Sequence, residues 1–91
     1  MKFYLGDRVR ISTKYHWAQN ALGTVALPPE FPQQQVQDQA PWEGCHRFVQ
    51  GVNRKIEFYW VNFDEPQEDA DGDGPYMGGE IDAEMMELIA R

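Results

Sequence analysis

The sequence predicts an all-β fold: a small barrel of roughly five short strands, with a long loop and a short helical turn near the C-terminal end. Three observations carry this expectation. Apolar and polar residues alternate with period two around Val9 and Ile11. Two apolar-rich runs, "HRFVQGV" and "KIEFYWVNF", flank a turn at Asn53-Arg54, and Gly, Pro, Asn and Asp interrupt the chain at short intervals. Closure into a barrel also removes the exposed edges of a small sheet.

In "GDRVRIS", Val9 and Ile11 alternate with Arg8, Arg10 and Ser12, the pattern of a strand with one buried and one wet face. "TKYHWAQNA" follows as an irregular loop bearing aromatics. "LGTVALPP" reads as a second strand, opened by Gly23 and stopped by Pro28-Pro29, because proline cannot donate to a ladder. The proline- and glutamine-rich stretch that includes Phe31, Val36 and Trp42 reads as a loop insertion over residues 28–45 of a single domain, 1–91. A docking ligand for a partner is the other reading of its extended geometry.

The hairpin supplies the third and fourth strands. On the fourth, Ile56, Phe58 and Trp60 share one face, and Glu57, Tyr59, Val61 and Phe63 the other, so one face is core and the other needs a cover. In "EIDAEMMELIAR", Ile81, Met85, Leu88 and Ile89 suit either a short amphipathic helix or a helical turn leading into a closing strand.

Composition narrows the class. Ninety-one residues, 42% of them hydrophobic, make room for one core. The single cysteine, Cys45, excludes an internal disulfide and favours a reducing compartment. Only four uncharged residues separate Lys2 from Asp7, too few for a signal peptide or membrane span, so the expectation is a soluble, cytoplasmic protein that does not act at a membrane. The net charge of -7 is uneven: residues 1–55 carry seven Lys and Arg against four acids, whereas residues 56–91 carry eleven acids against Arg91 alone. That field repels phosphate backbones, disfavouring nucleic acid, and suits a basic protein surface or a cation; a merely solubilising face is the plainer alternative.

The opening "GDRVRI", the strand "LGTV" and the run "YWVNFDEPQEDADGDGPYMGGEIDAEMMELI" together resemble Src-homology-3-like barrels, of the kind found in the β subunit of nitrile hydratase and the variable chain of ferredoxin-thioredoxin reductase. The similarity covers roughly two thirds of the chain, and the 28–45 insertion departs from a minimal barrel of this family. The resemblance implies an accessory or subunit-contacting barrel rather than an active site, because in those enzymes the catalytic metal or cluster sits on the partner chain.

"DADGDGPYMGGE" spells the ligand spacing of a calcium loop: Asp69, Asp71 and Asp73 at positions one, three and five, Gly74 at six, the Pro75 carbonyl at seven and Glu80 at twelve. Carboxylates held this close repel by roughly 1 kcal/mol per pair at 4 Å even in water, and a cation such as Ca²⁺ would relieve that. Against it, an aromatic strand and Pro66 precede the loop where a helix should lead in, and no second loop pairs with it. The competing reading is a solvated acidic turn between the fourth strand and the closing segment.

Cys45, His46 and His16 fall one ligand short of a structural zinc site, and a small buried thiol beside a surface histidine is the default for the adjacent pair. No residue spacing marks a catalytic group, so an enzyme is not expected. Trp17, Trp42, Tyr59 and Tyr76 form the remaining set, since aromatics at the mouth of a small barrel can box a peptide or a methylated cation. The function expected is therefore protein binding through these aromatics and the acidic C-terminal third, without a cofactor. The alternatives are a calcium-binding module on Asp69–Glu80 and an acidic immunity-type inhibitor of a basic toxin.

Overall fold

A computed structural model describes residues 2–30 and 40–91 of the protein. Half of the expected insertion, residues 31–39 with Phe31 and Val36 among them, therefore lies outside the described residues. Six strands form one antiparallel sheet: β1 (Arg8–Ile11), β2 (Leu22–Val25), β3 (His46–Gln50), β4 (Lys55–Gln67), β5 (Tyr76–Asp82) and β6 (Met86–Ala90). Their order is β3-β4-β2-β1-β6, with β5 branching from β4, and the sheet curls into a half-barrel. Every pairing is antiparallel, as hairpin-scale connections allow.

The period-two reading holds on β1, where Val9 and Ile11 are wholly buried and Arg10 is exposed. β2 runs beside it with Val9 opposite Gly23, and its other edge meets β4 with Gly23 opposite Phe63. The β3–β4 hairpin pairs Gln50 with Lys55, so the connection is Gly51–Arg54, four residues rather than the Asn53-Arg54 pair alone. Gly51 N–H donates to the Arg54 carbonyl at 2.7 Å and closes it.

β4 is the organising strand, long enough to pair with β3, β2 and β5 along its length. Tyr59, Val61 and Phe63 point into the core with Val9, Ile11, Val25, Ile81 and Met86. The face carrying Trp60 is covered in part by Trp42, whose ring meets it edge-on at 6.2 Å. β5 was not expected as a strand. Its Gly78 and Gly79 are poor strand formers, yet a Cβ on Gly78 would stand 2.8 Å from the Val61 carbonyl oxygen, and one on Gly79 would overlap the Trp17 ring. Here the glycines mark close approach rather than a break.

The two readings of the last segment resolve in favour of the turn leading into a closing strand. Asp82 Oδ1 accepts from Glu84 N–H at 2.9 Å and starts a single 3₁₀ turn, Ala83–Met85. β6 then pairs with β1, Ile11 opposite Met86. Ile81, Met85, Leu88 and Ile89 consequently share no helical face: Ile81 is wholly buried, while Leu88 and Ile89 are exposed. Among the described residues no helix is long and apolar enough to cross a membrane.

Candidate functional site

Trp17 is positioned by the loop between β1 and β2. The loop folds back on itself through Asn20 N–H to the Ile11 carbonyl and Ala21 N–H to the Ala18 carbonyl, with Ala18 and Asn20 left-handed at φ 52° and 64°. Alanine enters that region at a cost of roughly 1 kcal/mol or more, so the surrounding contacts overdetermine the bend. One such contact is the Tyr15 hydroxyl, which accepts from the Asp82 N–H at 3.2 Å. Trp17 lies over Gly79, edge-on to Phe63 at 5.4 Å and to Tyr76 at 6.2 Å.

These contacts frame a cleft of about 500 Å³ lined by His16, Trp17, Trp60 and Tyr76, and by Asp69 and Asp71 from the acidic loop. Trp60 is fixed as its back wall, because its indole N–H donates to Asn62 Oδ1 at 3.0 Å. The wall is braced from behind: Trp42 packs on Trp60, and the Arg47 guanidinium sits 5.0 Å over the Trp42 ring. Of the aromatics expected to bind a partner, the structure thus brings Trp17 and Tyr76 together and places Trp42 in support.

Tyr59 requires correction. It is wholly buried on the core face of β4, where it cannot meet a partner. Its hydroxyl accepts from the Lys2 and Phe3 N–H groups at 2.9 and 3.1 Å and donates to Glu57 Oε2 at 3.0 Å, tying the N-terminal segment to the sheet. Burial pushes this hydroxyl up from 10.0 to about 12; Glu57, which accepts its proton, adds to the rise, and the two N–H donors oppose it. An unfolded tyrosine ionises near 10 and the folded one near 12, so between these values the unfolded chain binds fewer protons. The Tyr59 contribution is complete below pH 10 and is lost as pH rises towards 12. Urea midpoints measured at about pH 9 and about pH 11.5 should fall more for the native chain than for Tyr59→Phe. The substitution itself should cost about 1 to 3 kcal/mol at neutral pH, since it leaves a buried N–H and a carboxylate short of a partner.

The expected surface histidine is also corrected. His46 is buried with Cys45, because the Glu43–His46 bridge turns the chain there and the imidazole stacks on Tyr59 at 5.6 Å, 20° from parallel. Its Nδ1 lies 3.0 Å from Glu57 Oε2. His16 stands apart on the cleft wall, so the three soft ligands do not converge.

Among the described residues the fold separates Glu80 from the other positions of the calcium pattern. β4 leads into the acidic loop and β5 leads out, leaving no flanking helices among the described residues. Asp69, Asp71 and Asp73 keep carboxylate oxygens within 4.8 Å of one another. Yet Asp69 Oδ1 already accepts from the Asp71 and Asp73 N–H groups, each at 2.9 Å, as in an Asx turn. Glu80, the intended bidentate ligand, lies on β5 opposite Trp60 and is taken by Arg47 at 2.6 to 3.1 Å. Pro75 is exposed in the same turn. The spacing along the chain therefore matches a calcium loop, and the three aspartates stay together in the turn, whereas Glu80 answers to the strand and to Arg47.

Trp60 and Asp69 belong to the cleft although only Trp17 and Tyr76 were expected to bind a partner there. The signal in the sequence is Trp60 within β4 followed by the acids just past its C-terminal end, readable only once β5 is known to pair beside it. Comparison with known proteins gave no matching family model, no similar curated protein and no similar solved structure.

Proposed function

We propose that the protein is a non-enzymatic binding module that takes a basic segment of another protein into the Trp17–Tyr76 cleft. The observation that carries this reading is the cleft itself: three aromatic rings and two carboxylates line one space of about 500 Å³. Aromatic faces attract an ammonium or guanidinium through their quadrupole, and nearby carboxylates add Coulombic attraction while excluding anionic partners. The remaining acids of residues 56–91 extend the same field and would speed encounter with a basic surface. This agrees with the accessory role that the resemblance to Src-homology-3-like barrels implies, and a cytoplasmic location is consistent with the free buried thiol of Cys45.

The test is tryptophan fluorescence during titration with a short peptide carrying one lysine among neutral residues, beside its glutamine analogue. The lysine peptide should bind more tightly, and Trp17→Ala should weaken it about tenfold, the 1.4 kcal/mol scale of a partly desolvated cation–aromatic contact. Because Trp17 also packs on Phe63, the exposed Asp71→Asn provides the second variant; it should flatten the salt dependence of binding while leaving the fold intact. Equal binding of the lysine and glutamine peptides would sink the reading. Millimolar CaCl₂ that shifts the amides of residues 69–73 and expels the peptide would reassign the aspartates to a metal.

A further inference from the structure

The aromatic cleft does not end at Tyr76. On the other side of that ring a second cleft, of about 360 Å³, is lined by Leu27, Pro29, Asn62 and Met77, and it shares Trp60, Tyr76 and Gly78 with the first. Sharing these lining residues, the two adjoin as lobes of one groove with a common aromatic wall. Their chemistry differs. The first lobe has carboxylates in its lining, whereas among the described residues no carboxylate lines the second, and Leu27 and Met77 are 58% and 66% exposed there. Exposed large apolar side chains grouped in a groove are the exception on a small soluble domain.

Resting on the proposed function, we infer that the groove reads a two-part signal in an extended segment of the partner: a cationic side chain in the Trp17 lobe and an aliphatic one in the Leu27–Met77 lobe. The shared wall sets the spacing. Trp60 and Tyr76 line both lobes, so the lobes adjoin, and side chains two positions apart on an extended chain stand about 7 Å apart on one side of it. A cation and an aliphatic residue separated by a single position can therefore drop into the two lobes together. Charge fixes the polarity of the match, because among the described residues the lining carboxylates, those of Asp69 and Asp71, stand at the first lobe. Gly78 lines both lobes and adds no side chain to either.

The experiment uses the full chain and four peptides of equal length: Lys-x-Leu, Lys-x-Ser, Gln-x-Leu and Gln-x-Ser in a neutral background. Lys-x-Leu should bind tightest, with each single replacement costing about tenfold, the scale on which an apolar pocket discriminates. Leu27→Ser and Met77→Ser, both at exposed positions, should erase the preference for leucine over serine while keeping lysine over glutamine. Asp71→Asn should do the reverse. If lysine is preferred but leucine and serine bind alike, and the Leu27 and Met77 variants change nothing, the two-part signal is wrong while the cationic cleft stands. If no peptide shows a preference for lysine, the underlying function fails first.

Discussion

Gly23→Ala should lower the melting temperature by roughly 10 to 20 °C, the consequence of losing about 3 kcal/mol in a domain of this size. The reason is geometric. A Cβ on Gly23 would lie 2.5 Å from the Asn62 carbonyl oxygen and 2.5 Å from Val61 Cγ1, inside the contact distance of either atom. β2 cannot step away, because it is hydrogen-bonded between β1 on one side and β4 on the other. Relief would have to open one ladder or push Val61, a wholly buried core residue, off its rotamer. Alanine gains about 0.5 to 1 kcal/mol by restricting the unfolded chain, too little to offset such a clash. Gly72→Ala is the control: its φ of +81° makes alanine strained, but a Cβ there would have nothing within 4 Å. It should cost only about 1 kcal/mol. Melting points for the two variants that differ by less than about 3 °C would show that β2 and β4 do not approach as described.

The same residue shows how much of the fold was legible beforehand. "LGTV" was readable as a strand because Val25 and the flanking prolines set its phase and its end, and Val9 and Ile11 set the phase of β1. The hairpin was legible from the apolar runs on either side of its turn. β5 was not, since its centre is Gly78-Gly79, and local propensity reads that pair as a loop. What overrides propensity is the approach of Trp17 and of the β4 backbone, contacts from residues about 60 and 17 positions away in the chain. With β5 unread, Glu80 looked like the end of a loop rather than a strand residue beside Trp60. Alternation on β4 places Tyr59 opposite Trp60, but only the pairing partners decide which face is core. The cleft residues Trp17 and Tyr76 were picked out by type, whereas their convergence needed the long-range register.

Arg47→Ala should cost about 2 to 3 kcal/mol, and should also weaken the binding of cationic peptides by the chain that remains folded. Arg47 lies on β3 and reaches across β4 to Glu80 on β5, where its Nε and Nη2 atoms grip both carboxylate oxygens at 2.6 to 3.1 Å. The pair is largely sequestered, with the arginine side chain 9% and the glutamate side chain 28% exposed. Removing one partner from a fully buried pair costs about 3 to 5 kcal/mol, and water reaching Glu80 brings the value down. The guanidinium also caps Trp42, which backs the Trp60 wall of the cleft, so its loss loosens a binding surface that it does not line. Lysine should recover only part of the effect, since an ammonium cannot reproduce the two-pronged grip or the stacking. The decisive comparison is a double-mutant cycle. Most of the cost comes from the orphaned carboxylate, so Arg47→Ala together with Glu80→Ala should be less destabilised than the sum of the two single variants, by at least about 1 kcal/mol. Strict additivity would mean that Arg47 acts through its contacts other than Glu80, among them Trp42 and the Ala40 carbonyl, and Glu80 would then be free to serve the acidic loop.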